Sequence, residues 1–296
     1  MQYYQNHFPE IKRVFDSVFN DNNQQMGTEQ QLPQQNSKRI FMTGDSLLRQ
    51  LFISLACNAF SLYDDAVIER AEVQWRNEWP CFGLSNCIEG GQHSGFDAAS
   101  ILFTNGLEIH FVPMRGFAYN DASKGEPEVL TRMAEQIDRL GKIGFGTKTA
   151  FRPSGPMDVL VYNVGAHFTL SESQKHLGYF VREITTPLMK KDKLGQPRPK
   201  LIYVTTPTQH FNTHDGQYKR KRMDDESSKC VAQVPYNPRA RIEKRVLKPG
   251  VNIDVLLDYD DLELGNLHVH KGDCTHYCMP GAPDLIAARL LFEISS

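Results

Sequence analysis

The chain has 296 residues, of which 40% are hydrophobic and 23% charged, with 33 Lys plus Arg against 35 Asp plus Glu for a formal charge of -2. This is the composition of a globular protein with a sizeable core in one large or two small domains, and it excludes a fibrous or wholly disordered chain. The balanced charge argues against a nucleic-acid-binding domain, and no apolar run approaches the roughly 18 residues of a membrane-spanning helix.

In chain order, residues 8–20 have the spacing of a short amphipathic helix, and 21–36, with nine Asn or Gln in sixteen positions, read as a linker. The folded body is therefore expected to begin near Lys38, as one domain over 38–296 with 1–37 as an N-terminal segment. Residues 39–43 (RIFMT) form an apolar strand that ends at Gly44. Over 46–60, Leu47, Leu51 and Leu55, with Leu48, Phe52 and Ala59, recur at helical spacing. Asn105-Gly106 between two β-like runs signals a hairpin. Residues 126–140 read as a helix stopped by Gly141, and 158–163 (DVLVYN) as a continuous apolar strand. A helix follows over 171–191, opened by Ser171-Glu-Ser-Gln, then a buried strand over 201–205 (LIYVT). A strand over 251–258 and a helix over 283–294 close the chain. Buried strands alternating with helices predict an α/β fold, a three-layer α/β/α domain around a mainly parallel sheet.

Two segments carry chemistry. Gly44-Asp45-Ser46-Leu47 follows a strand and opens a helix, which sets a serine hydroxyl at the carboxyl edge of the sheet. The helix N-terminus there offers free N–H groups and a positive dipole end to an oxyanion. Asp and Ser are also the ordinary residues of a helix N-cap, and the tetrapeptide alone leaves both readings open. Near the other end stands Asp273-Cys274-Thr275-His276. On a helical turn, a spacing of three puts the carboxylate and the imidazole on one face, where Asp273 can hold the tautomer of His276. His268, His270, Asp273, Cys274, His276 and Cys278 crowd the same stretch, which is also the make-up of a zinc site. Triad, zinc and structural-loop readings stand side by side on this segment alone.

Taken together, the segments resemble a known family. Gly44-Asp-Ser-Leu-Leu-Arg-Gln with Ser54-Leu-Ala-Cys57 comes first, then Asp158-Val-Leu-Val-Tyr-Asn-Val-Gly165 with His167. Thr206-Pro-Thr-Gln-His210-Phe211 runs on to Cys230; Leu256-Leu-Asp258 and Asp273-Cys-Thr-His-Tyr-Cys-Met-Pro-Gly-Ala-Pro-Asp284 complete the set. This pattern is similar to the GDSL/SGNH acyl hydrolases, and within them to the PC-esterase branch that holds the plant trichome-birefringence-like polysaccharide O-acetyltransferases. The resemblance implies an SGNH-hydrolase-like fold over 38–296, with Ser46 as nucleophile, His276 as general base and Asp273 as its orienting acid. It implies an oxyanion hole drawn from the Ser46 N–H, Gly116 and either His167 or Asn163, with Gly90-Gly91 as a rival to Gly116. Arg115 is the candidate for binding an acidic group of the substrate. It further implies a Cys230–Cys274 disulfide, leaving Cys57 and Cys278 to pair with Cys81 and Cys87 in either order. The plant members end the strand that matches 158–163 in a Gly-His-Trp-Trp type sequence, and the Asn-Val-Gly-Ala-His-Phe found here departs from it.

The resulting expectation is a serine-dependent acyl, usually O-acetyl, transfer or ester hydrolysis on a carbohydrate through an acyl-Ser46 intermediate. The partners are an acyl donor and a glycan or other acyl acceptor, with no cofactor and no metal, no nucleic acid and no membrane insertion. Two rivals accompany it: a catalytically silent glycan-binding protein on the same fold, and the zinc site at 268–278. The resemblance suggests the secretory pathway or Golgi, although the first residues lack the basic start and apolar core of a signal peptide. Lys219-Arg-Lys-Arg222, followed closely by Asp224, Asp225 and Glu226, reads as a solvated loop. Trp75, Trp79 and Tyr119 suit either core packing or a sugar-stacking platform.

Overall fold

A computed structural model of the chain describes residues 2–19, 39–63, 68–73, 99–103, 107–113, 158–166, 168–195, 198–217, 226–227, 229–231, 234, 236–259, 274–277 and 281–295. Among the described residues seven strands form one sheet: β1 (Arg39–Gly44), β2 (Ile68–Val73), β3 (Ala99–Phe103), β4 (Glu108–Pro113), β5 (Asp158–Tyr162), β6 (Lys200–Val204) and β7 (Val255–Leu257). Their order is β2-β3-β4-β1-β5-β6-β7. Neighbours from β4 through β7 pair in parallel, while β3 runs antiparallel to both β2 and β4. The described helices are α1 (Gln2–Phe19), α2 (Ser46–Tyr63), α3 (Leu170–Phe180), α4 (Thr186–Lys193), α5 (Pro238–Val246) and α6 (Ala282–Ser295). The chain is thus a mixed α/β protein with a mostly parallel sheet.

The parallel strands read as unbroken apolar runs because helices cover both faces of the sheet. On one face Ile40 and Met42 of β1, Val159 and Val161 of β5, and Ile202 and Val204 of β6 join a core with α2 and α6. The alternate residues Tyr162 and Tyr203 point the other way, into a second core with Leu177 and Phe180 of α3, and Leu247 and Ile253. The ring of Tyr162 stacks on that of Phe180 at 3.8 Å between centroids. In α2, Leu47, Leu48, Leu51, Phe52, Ile53, Leu55 and Ala56 are all buried, so this helix is apolar around most of its circumference. It lies within the core rather than on its surface.

Several expectations change in detail. The expected boundary at residue 38 separates segments of chain but not cores. Ile11, Val14 and Phe15 of α1 make a helical stripe that is buried in the same core as α2 and α6. The helix expected over 171–191 is two helices joined by a π-helical turn, Val181–Thr185. Its N-cap is Thr169, whose hydroxyl accepts from the Glu172 N–H while Glu172 reaches back to the Thr169 N–H. This reciprocal capping box places the start upstream of Ser171. The last strand is only three residues long, since 249–253 turns on a bridge between Pro249 and Ile253. β2 and α5 carry no apolar periodicity strong enough to be read from sequence. α5 is marked instead by Asn237, whose side chain caps Arg239 and Ala240, with Pro238 in its first turn. The hairpin around Asn105-Gly106 is present as the β3–β4 pair. Its tip, and the helix expected over 126–140, lie outside the described residues.

α5 delivers Glu243 into the second core, 2% exposed. Its carboxylate accepts from the Thr206 N–H at 2.8 Å, the Thr206 hydroxyl at 2.7 Å and the Tyr203 hydroxyl at 2.9 Å. The Tyr203 oxygen in turn accepts from the Val164 N–H at 3.1 Å, so the loops after β5 and β6 hang on one buried acid. Burial pushes the Glu243 carboxyl up from 4.5 to about 7, against the opposing pull of these donors and of Arg239. The folded protein therefore holds this proton more tightly than the unfolded chain does. The group's contribution to stability is complete below about pH 4.5 and is lost as pH rises through about 7. Urea unfolding of wild type and Glu243→Gln should accordingly diverge, the variant gaining on wild type as pH rises across this interval. Parallel curves would show that Glu243 does not titrate there.

Candidate active site

The chain leaves β1 toward β2, at the far edge of the sheet, and leaves β5 in the opposite direction, toward β6. Between the carboxyl ends of β1 and β5 the connections therefore diverge, which opens the crevice where α/β sheets bind ligands. Ser46 follows β1 directly, and 163–166 follow β5. Topology alone puts the two segments side by side.

Asp45 organises the turn between them. Its Oδ1 accepts from the Leu47 N–H at 2.9 Å, which caps α2. Its Oδ2 accepts from the Ala166 N–H at 2.8 Å, and its own N–H donates to Oδ1 of Asn163 at 3.1 Å. The Asn163 amide returns a bond to Asp45 Oδ1 at 3.3 Å. Asp45 is thus the helix cap, and this leaves the Ser46 hydroxyl available for other chemistry. Two glycines make the close approach feasible. A Cβ on Gly44 would lie 2.0 Å from Asn163 Oδ1, and one on Gly165 would lie 2.0 Å from Asp45 Oδ2. Gly165 also has φ of +79°, in the left-handed region. Gly165→Ala should therefore cost about 2–4 kcal/mol of unfolding free energy in chemical denaturation, from backbone strain and the displaced Asp45 carboxylate together. A loss below about 0.5 kcal/mol would mean that the turn is not held as described.

Across the crevice, the Ser46 hydroxyl meets Nε2 of His276 at 2.7 Å, within the reach required of a nucleophile and its base. Both side chains are half-buried, accessible from outside yet fixed. No acceptor among the described residues meets the Ser46 N–H, which stands at the first position of α2 where the helix N-terminus favours negative charge.

His276 does not ride on a helix. Residues 274–276 have no helix or strand and Tyr277 sits in an isolated bridge, so His276 stands on a strapped loop and not on the expected helical turn. Cys274 is disulfide-bonded to Cys230, with Cα atoms 5.2 Å apart, and its carbonyl accepts from the His210 N–H at 2.9 Å. Gln209 donates to the Thr275 hydroxyl at 2.9 Å, and the Tyr277 hydroxyl donates to the Thr208 carbonyl at 2.7 Å. Gln50 of α2 holds both backbone groups of Tyr277, donating to its carbonyl at 2.5 Å and accepting its N–H at 3.3 Å. A loop with little regular structure is thereby fixed on both sides of the imidazole. Behind it, Asp284 accepts from Ser54 at 2.6 Å and from Asn58 and the Gly281 N–H at 2.5 Å each, joining the start of α6 to α2. Burial raises the Asp284 carboxyl above its ordinary value.

Of the residues singled out from sequence, Ser46 and His276 are brought together, and Cys230 and Cys274 are joined. Asp273, Gly116, Arg115 and His167 lie outside the described residues, as do Gly90, Gly91, Trp75, Trp79, Tyr119 and the 219–222 run. Asn163 has a different task from the oxyanion donor expected of it: it is 1% exposed and its amide is turned onto Asp45. Cys274, being disulfide-bonded, has no thiolate to offer a zinc ion. Cys57 is disulfide-bonded as well, to a partner outside the described residues. Sequence reading left Asp45 as one of two possible caps and missed its hold on Ala166 and Asn163, and it missed the roles of Gln50 and Gln209. Asp45 and Gln50 were in view within the first motif, but nothing in a linear pattern shows which distant backbone a side chain will meet. Scanned against protein-family models, the chain finds no match, and among curated proteins it finds none.

Proposed function

We propose that the chain is a serine acyl-transfer enzyme of the SGNH type, resembling the PC-esterase branch, that acts on an O-acyl, typically O-acetyl, ester of a carbohydrate. The observation that carries the reading is the 2.7 Å contact between Ser46 Oγ and His276 Nε2 at the carboxyl edge of a parallel sheet, where the connections diverge. The division of labour at the turn supports it. Asp45 caps the helix, so Ser46 is not needed as the cap, and its hydroxyl faces an imidazole.

In the proposed reaction His276 Nε2 takes the Ser46 proton as Oγ bonds to the acyl carbon. The carbonyl π pair moves onto oxygen, where the Ser46 N–H and the positive end of α2 stabilise the oxyanion. The tetrahedral intermediate collapses, the C–O bond to the leaving alcohol breaks, and that alcohol takes the proton from His276. Water or a sugar hydroxyl then attacks acyl-Ser46 with His276 again as base, regenerating the free serine. The first acceptor makes the protein an esterase and the second an O-acetyltransferase. Asp273 is assigned to orient His276, Gly116 and His167 to complete the oxyanion hole, and Arg115 to meet an acidic group on the substrate.

Incubation with p-nitrophenyl acetate followed by intact-mass measurement tests the reading. It expects one acetyl adduct, mapped to Ser46 and missing from Ser46→Ala. A protein that binds acetylated sugars yet never acquires the adduct would instead be a silent glycan binder on this fold.

A further inference from the structure

We propose that Gln50 is the positioning residue for His276, and that the helix carrying the nucleophile thereby also sets the place of the base. The inference rests on the acyl-transfer reading for its consequence in rate, but not for its geometry. Gln50 lies four residues after Ser46, one turn along α2 and on the same face, so its side chain projects beside the serine. It is 1% exposed. Its amide forms a two-point clasp on Tyr277, the residue directly after His276: Nε2–H to the Tyr277 carbonyl at 2.5 Å, and the Tyr277 N–H to Oε1 at 3.3 Å. A primary amide offers a donor and an acceptor side by side in a plane at every pH, matching the two groups of a peptide backbone.

The clasp acts on the C-terminal side of the imidazole, on the backbone of a residue whose ring is itself buried in the core against Tyr259. The disulfide and the His210 bond hold Cys274, and Gln209 holds Thr275, all on the N-terminal side of the imidazole. On the C-terminal side the Tyr277 hydroxyl reaches the Thr208 carbonyl, but that bond lies at the far end of a long side chain. Gln50 grips the Tyr277 backbone from the helix that presents Ser46. The Ser46–His276 distance is thus set within a single turn of α2. Displacing a base by about 1 Å costs on the order of 100-fold in rate.

Gln50→Met keeps the volume and removes both bonds. It should lower the rate of Ser46 acylation by p-nitrophenyl acetate about 30- to 100-fold with KM within about threefold, since Gln50 is buried and acts through the imidazole. Gln50→Glu keeps the acceptor, and keeps a donor only while the acid is protonated. Its rate relative to wild type at the same pH should fall as pH rises, a signature that loss of packing does not give. In both variants the 15N imidazole resonances of His276 should shift from their wild-type positions. Wild-type acylation rates in Gln50→Met, or a pH-independent ratio in Gln50→Glu with unmoved His276 resonances, would overturn the inference. If Gln50→Met does not fold, Gln50→Glu decides it. If wild type forms no adduct, the acyl-transfer reading fails, and the His276 resonances by themselves decide whether Gln50 positions the imidazole.

Discussion

Ser46→Ala and His276→Ala are each expected to lower acyl transfer by roughly 10³- to 10⁶-fold, and the double variant to be scarcely worse than either alone. Nucleophile and base act as one unit, so removing either leaves only binding and the oxyanion donors. The serine hydroxyl cannot be deprotonated at neutral pH without the imidazole, and the imidazole has nothing to activate without the hydroxyl. Stability should change little, by about 1 kcal/mol or less in urea unfolding. Both side chains are half-buried and neither belongs to a core, so truncation opens no sealed cavity. The N-cap of α2 also survives Ser46→Ala, because Asp45 supplies it. Asp273→Asn should lower the rate as well, by favouring the wrong imidazole tautomer. Turnover within tenfold of wild type in both Ser46→Ala and His276→Ala would reject the mechanism.

Opening the Cys230–Cys274 bridge is expected to inactivate the protein before it unfolds. The bridge ties residue 274, two positions before His276, to a point 44 residues upstream. Closing a loop of that length restricts the unfolded chain by about 3–4 kcal/mol in the entropy model. Cys230→Ala/Cys274→Ala should therefore lower unfolding free energy by that order while leaving the bridge of Cys57 intact. The effect on rate should be larger in relative terms. Of residues 274–277 only Tyr277 belongs to a core, and the segment has no helix or strand of its own to hold it, whereas the sheet and the remainder of both cores stand on other residues. With the bridge gone, the N-terminal side of His276 loses its covalent tie, and a drift of about 1 Å lowers kcat on the order of 100-fold. Circular dichroism and turnover measured on the same samples should separate: a near-native spectrum at a temperature where activity is down by that factor. Activity and folded signal lost together would make the bridge a support of the whole fold instead.

What the sequence by itself determined follows from local physics. Short apolar runs rich in β-branched and aromatic residues in 39–43, 158–163 and 201–205 read as strands buried on both faces, and these are three adjacent parallel strands of the sheet. The Leu and Phe spacing after Ser46 and the Ala- and Leu-rich run after Gly281 bury helices whichever neighbours they meet. The Cys230–Cys274 pairing was implied only by a resemblance, not by local physics, and that bridge is present. Ser46 and His276 were picked out by their motifs, but their meeting at 2.7 Å belongs to the tertiary structure. So does the choice between cap and nucleophile at Asp45-Ser46, which turns on Ala166 and Asn163, well over a hundred residues away. α1 offered an apolar stripe whose destination could not be read until α6 covered it. α5 is short and mostly polar, and its buried Glu243 is tolerable only because Thr206 and Tyr203 wait for it. Hydrophobic periodicity is written along the chain, since each residue is in or out by its own nature. A polar side chain's partner is fixed only when distant segments are folded against it, and the site is built almost wholly of such partners.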